Sequence, residues 1–140
     1  MSDAPPGTRG WLIRIPVVPR GSEPQFEDRW MVDCAVATSG DSYRYVEVDG
    51  TRYSHIIDPT TGRAITTRRI VTVIAQTAAD ADALASAATV LGGSGMDRID
   101  RYPQIAVRLL EQQSSGRWIT WERDALIPQL RSKAWNDEIS

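Results

Sequence analysis

Only one cysteine, Cys34, and one histidine, His55, occur among the 140 residues. A lone cysteine excludes an internal disulfide framework. Its apolar setting in "WMVDCAVATSGD" reads as a small core residue rather than a nucleophile. Charge of one sign is also missing: the formal net charge is −2, and the only adjacent arginines, Arg68 and Arg69, make no basic patch of the kind that nucleic acid requires. No nucleic-acid partner is therefore expected. No apolar run approaches the ~20 residues that a bilayer-spanning helix needs. Residues 1–10 lack the basic-then-apolar order of a secretory signal. Long enough for one domain, the chain can bury roughly 68–70% of its unfolded surface.

The Pro/Gly-rich residues 1–10 read as a disordered lead-in, residues 11–135 as the folded body and residues 136–140 as a tail. "WLIRIPVV" alternates as a strand that Pro16 and Pro19 should close, and "PRGSEPQFED" has the composition of a loop. The stretch from Trp30 to Ala37 is apolar enough for a buried strand. "YRYVEV" and "TRYSHII" flank Asp49-Gly50, which predicts a two-residue hairpin with a type I′ turn. "IDPTTG" is turn chemistry. The β-branched run "RRIVTVIAQ" predicts a strand. It leads into "TAADADALASAATVLGG", a helix with Thr77 as N-cap and Gly92-Gly93 as its stop. "MDRIDRY" suits a second short helix. "QIAVRLLEQ" fits strand or helix, with a hairpin to "SSGRWITWE" through Gly116 favouring strand. Residues 124–135 have the pattern of a short amphipathic helix. Strands, one long helix, then strands again define an α+β domain, mostly antiparallel.

Three segments can carry chemistry. In "ATSGDS", a strand runs into hydroxyl-bearing residues around a glycine, either an ordinary turn or a nest of N–H groups for an anion. In "YSHIIDPTTGR", His55 is either a satisfied structural imidazole or a base that takes a proton from a hydroxyl. In "DADALAS", Asp82 and Ser86 stand four apart, one helical turn, on one face. They form either a solvated polar stripe or two hard oxygen ligands suited to Mg2+ beside phosphate oxygens. Asp80 points elsewhere and reads as a capping or solvated residue.

In order and spacing, "AVATSGD", "RY" at Arg44-Tyr45, "VDGTRYSHIIDPTTGR" and "VTVIAQTAADADALASAATVLG" resemble the C-terminal half of the ApbE-type FAD:protein FMN transferases. The resemblance covers about residues 11–92. It implies a Mg2+-dependent transferase that moves FMN from FAD to a threonine hydroxyl of a target protein and releases AMP. It also implies that His55 is the base, that Asp82 and Ser86 are the metal ligands, and that Thr38, Ser39, Gly40 and Asp41 form the loop against the flavin nucleotide. Two positions depart from the family pattern: Ser86 stands where threonine is usual, keeping the hydroxyl, and Ser42 stands where a tyrosine usually follows Ser-Gly-Asp. The glycine-rich segments of the family's N-terminal half have no counterpart here, so a truncated or split enzyme, with a separate N-terminal half as partner, is expected. A non-catalytic nucleotide-binding or partner-binding remnant and a metal-dependent FAD hydrolase giving FMN and AMP are the alternatives. Family members are commonly exported and anchored through an N-terminal segment, which leaves localisation open.

Overall fold

In the computed structural model, residues 4–21, 23–40 and 44–123 are described. Asp41, expected in the flavin-side loop, and the helix expected over 124–135 fall outside them.

The run of β-branched residues that sequence places in one strand forms β8, Arg69–Ala75, buried along nearly its whole length. A strand apolar on both faces needs cover on both. It pairs with β3 (Ala35–Gly40) on one side and β9 (Ala106–Gln112) on the other, and β10 (Trp118–Arg123) closes the order β10-β9-β8-β3. Every pairing is antiparallel. "QIAVRLLEQ" is thus a strand, hairpinned to β10 through Gly116 at φ 82.

Helix α1 (Ala78–Leu91) covers one face of this sheet. It starts where Thr77 Oγ1 accepts the Asp80 N–H at 3.1 Å, satisfying an otherwise orphaned donor of the first turn. Small residues Ala81, Ala85 and Ala88 let its backbone lie close to Val71, Val73, Val107 and Leu109. Its C-terminus meets a cation: Arg69 donates to the carbonyls of Thr89 (2.8 Å) and Val90 (3.0 Å) while its Nε holds Glu111 at 2.6 Å. A positive charge there complements the helix dipole. The chain then turns at Gly92, φ 64, into one short turn of helix, α2 (Met96–Ile99).

The other face is covered by a long hairpin of β1 (Trp11–Arg20) and β2 (Glu23–Met31). Ile15 and Met31 pack there with Cys34, Ile74 and Ala106. Cys34 is the core residue its setting predicts, and burial pushes its thiol pKa up. Beneath the hairpin lies Arg108, 5% exposed, which donates to Glu27 at 2.7 Å and to Glu122.

Two local expectations fail for the same reason. β1 continues through Pro16 and Pro19, and "EPQFED" is strand rather than loop. β1 pairs only with β2 among the described residues, so a missing N–H can face outward at no cost to the ladder. The register slips between Val17 and Arg20, around Pro19. The Trp30–Ala37 strand is in fact two elements, broken where Asp33 takes φ 51. Small antiparallel pairs complete the chain: β4 (Tyr45–Val48) with β5 (Thr51–Ser54), and β6 (Ile57–Asp58) with β7 (Arg63–Ala64).

Candidate functional site

The Asp49-Gly50 turn has φ of 49° and 74°, the two positive values that a type I′ turn demands. Its register pairs Tyr45 with Ser54, and one step further Arg44 stands opposite His55. The Arg44 carbonyl accepts the His55 backbone N–H at 3.3 Å and lies 3.0 Å from His55 Nδ1. A carbonyl oxygen can only accept, so this contact assigns a proton to Nδ1, and in the neutral imidazole it leaves the Nε2 lone pair available. His55 sits just past the end of β5, exposed rather than in the strand.

Its chain neighbours are occupied with backbone work. Ser54, buried, accepts the Ile56 N–H at 3.1 Å and bends the chain at the histidine. Asp58 accepts the Thr60 N–H at 2.8 Å and the Thr60 hydroxyl at 2.7 Å, which holds its carboxyl below the usual carboxylate range. The "IDPTTG" stretch is thus a turn, with Gly62 at φ 67, and its aspartate does not orient the imidazole. A main-chain carbonyl does.

His55 opens into a polar cavity of about 320 Å³ that also receives Asp82 and Ser86 from α1 and Arg44 from the hairpin base. Asp82 and Ser86 are both exposed, one turn apart, as their spacing predicts. The end of β3 supplies Thr38, Ser39 and Gly40 as the remaining wall. Thr38 Oγ1 lies 2.9 Å from the Oγ1 of buried Thr72 on the pairing strand, which fixes its rotamer. Gly40 has φ 150, and a Cβ there would run into the Arg69 carbonyl, so the strand end can lie this close only without a side chain. The six described residues singled out from sequence therefore share one cavity; Asp41 is not among the described residues.

Against the same wall of Thr38, Ser39 and Gly40 lies a second, more apolar groove of about 300 Å³, lined by Pro16, Val17, Pro24 and Phe26 of the long hairpin. Two contributions escaped sequence reasoning. The groove required β2 to be read as a strand. Arg44 was given no role, although counting back from the Asp49-Gly50 turn puts it opposite His55.

Among the described residues no three His, Cys, Asp or Glu side chains cluster as a metal-binding group. Two hard oxygens, Asp82 and Ser86, nevertheless suit Mg2+, which commonly takes one or two protein ligands and completes its shell with phosphate oxygens and water.

Such a fold and cavity define an α+β domain that sets an imidazole with a free Nε2 across from hard oxygen donors and an arginine. The chain belongs to the ApbE family, whose profile matches residues 2–109. It is similar to the FAD:protein FMN transferase of Vibrio cholerae, 45% identical over 85 residues, which is 60% of this chain and 25% of that protein. To the FAD:protein FMN transferase of Escherichia coli K12 it is 39% identical over 98 residues, 69% of this chain and 26% of that protein. Among solved structures, the flavin transferase ApbE from Vibrio cholerae superimposes with a TM-score of 0.72 at 33% identity, over 91% of this chain and 40% of that one. The apo flavinyl transferase ApbE of Pseudomonas stutzeri gives 0.69 at 31%, over 91% and 39%. The chain thus spans about a quarter of the length of these curated relatives.

Proposed function

We propose that this chain carries the chemical centre of a FAD:protein FMN transferase, and that the acceptor is a threonine hydroxyl. The observation that supports this most is the cavity itself: His55, Arg44, Asp82 and Ser86 face one volume of about 320 Å³, enough for a pyrophosphate and an incoming alcohol.

His55 Nε2 takes the proton of the threonine hydroxyl, whose oxygen then attacks the FMN-side phosphorus of FAD. A new P–O bond forms to the acceptor as the bond to the AMP oxygen breaks, and AMP departs. The Nδ1–H bond to the Arg44 carbonyl holds the ring through the transfer and stabilises the imidazolium that results. The Arg44 guanidinium offers forked donors to phosphate oxygens. Asp82 and Ser86 are the residues that would hold Mg2+, which supplies charge neutralisation to the pyrophosphate when bound. Thr38, Ser39 and Gly40 line the way from the polar cavity to the apolar groove, where a flat ring system can lie against Phe26 and the prolines.

Relatives carry a further stretch of fold, and its residues would close the cavity. Acting alone, the chain is expected to turn over weakly. The test is incubation with FAD, Mg2+ and an acceptor protein, with mass spectrometry of the acceptor and measurement of AMP. The proposal expects FMN on threonine with one AMP released per label, a rate raised by adding the remaining portion of a relative, and a loss of roughly two to four orders of magnitude in His55→Ala. Free FMN and AMP with no labelled acceptor would instead identify a hydrolase. FAD binding without any turnover, even when supplemented, would identify a binding remnant.

A further inference from the structure

The polar cavity and the apolar groove meet at the end of β3, where strand alternation deals two hydroxyls to opposite faces of the sheet. Ser39 stands opposite Val71, which packs under α1, so its side chain lies on the side of the polar cavity. Thr38 stands opposite Thr72, on the face that the long hairpin covers, with Gly40 and Ile70 beside it as walls of the groove. Thr38 is exposed, whereas Thr72 is only 3% exposed. The Thr72 hydroxyl has little choice of partner. Its neighbours along β8 on that face, Ile70 and Ile74, are buried and apolar. Across the ladder on its other side stands Arg108, whose guanidinium donates and cannot accept. Among the described residues its one hydrogen-bond partner is Thr38 Oγ1, 2.9 Å away. A buried O–H without an acceptor bears its full desolvation penalty, while the exposed Thr38 proton can turn to solvent or to a ligand. Satisfying both hydroxyls therefore makes Thr72 the donor and Thr38 the acceptor.

From this pair we infer that Thr72 is a positioning residue for the nucleotide substrate. By donating to Thr38 it turns the Thr38 hydroxyl into a hydrogen-bond donor aimed into the groove, for an acceptor atom on a flat ring. That atom is a carbonyl oxygen or an aromatic nitrogen. This role rests on the transferase reading above and adds to it how a ring of the substrate is oriented. An apolar slot of prolines, Val17 and Phe26 gives a ring its contact area but not its rotation within the plane. A few placed polar groups supply that. With its lone pair taken by Thr72, Thr38 offers the groove a proton, so a ring edge that presents an acceptor is favoured over one that presents an N–H. Both rings of FAD carry acceptor atoms, and separate ligands tell which of them lies here.

Proton NMR of the isotope-labelled chain and titrations with FAD, riboflavin, AMP and pyrophosphate test this. In the free chain the Thr72 hydroxyl proton should exchange slowly enough to be observed, and that of Thr38 should not. Thr72→Val keeps the side chain's shape and removes the donor. It should weaken FAD binding roughly three- to tenfold, the worth of one neutral hydrogen bond. Riboflavin or AMP, whichever carries the ring that fills the groove, should weaken by the same factor, and pyrophosphate should bind as before. Thr38→Val should show the same loss, and the double variant no more than either single one. Thr72→Ser keeps the hydroxyl but loses a buried methyl, so it should bind FAD like the parent while melting lower. A role in packing alone would give the opposite order of affinities. A protected proton on Thr38 instead of Thr72, additive losses in the double variant, or a loss seen with pyrophosphate would overturn the inference, and transfer through His55 would stand. Unchanged transfer in His55→Ala, with the Thr72 and Thr38 losses still coupled, would overturn the chemical reading and leave this pair standing. A chain that binds no FAD would overturn both.

Discussion

At the residue scale, the imidazole of His55 is defined by a contact that composition cannot reveal. A carbonyl at 3.0 Å from Nδ1 fixes the tautomer in which Nε2 is the acceptor, a role usually given to a carboxylate. Asp58, three residues on, does not take that role, because its oxygens are spent on the Thr60 amide and hydroxyl. Replacing Asp58 with alanine should therefore leave the His55 ring signals and the pH profile of transfer unchanged while loosening the turn; a shifted pH profile would contradict the carbonyl assignment. Glu27 offers a second residue-scale test. Burial raises its pKa, but the bonds and charges of Arg29 and Arg108 outweigh this and leave it lowered overall. A carboxylate with a folded pKa below its unfolded one adds stability above the unfolded value and loses it as pH falls through the folded one. Thermal unfolding followed from neutral pH downward should show this acid loss, and Glu27→Gln should flatten it; a parallel slope in the variant would remove Glu27 from the account.

At the scale of elements, a hairpin, a strand end and a helix converge, and each was legible to a different degree. The Asp49-Gly50 turn, the Thr77 cap and the Gly92 stop depend on short-range chemistry, so "DG", "TAAD" and "LGG" are enough to place them. The face shared by Asp82 and Ser86 follows from helical period alone. β2 was hidden because its residues are polar and edge-like, and only pairing with β1 makes them a strand. The break at Asp33 was hidden because a positive φ at a non-glycine residue has no compositional mark. That the three elements meet was suggested by family likeness, since spacing along a chain says nothing about distance across a fold. Thr77→Ala should cost about 1 kcal/mol and lower the melting temperature by a few degrees, because Asp80 N–H loses its acceptor. Unchanged melting would mean that packing of the alanine face sets the helix start unaided.

Across the whole molecule, one sheet is held between a helix and a long hairpin, and each layer has its own latch. Arg69 ties the helix end to the sheet; Arg108 ties the hairpin to it through Glu27 and Glu122. Arg108→Ala should destabilise the fold by about 2 kcal/mol, since the buried Arg108 stem loses its packing and the partly buried Glu27 keeps only Arg29 as a cationic partner. Denaturant unfolding reads that value, and a loss below about 1 kcal/mol would class the pair as an ordinary surface bridge. No described helix is long and apolar enough to cross a membrane. The polar cavity and the apolar groove share the end of β3, so a ligand with a charged middle and a flat ring finds both chemistries on adjoining surfaces. The central claim is that Asp82 and Ser86 bring Mg2+ to the same phosphates that His55 and Arg44 face. Titration of FAD into the chain with and without Mg2+, repeated on Asp82→Ala, tests it most directly. The account predicts tighter FAD binding with Mg2+ in the parent and no Mg2+ effect in the variant; an equal Mg2+ effect in both would contradict it.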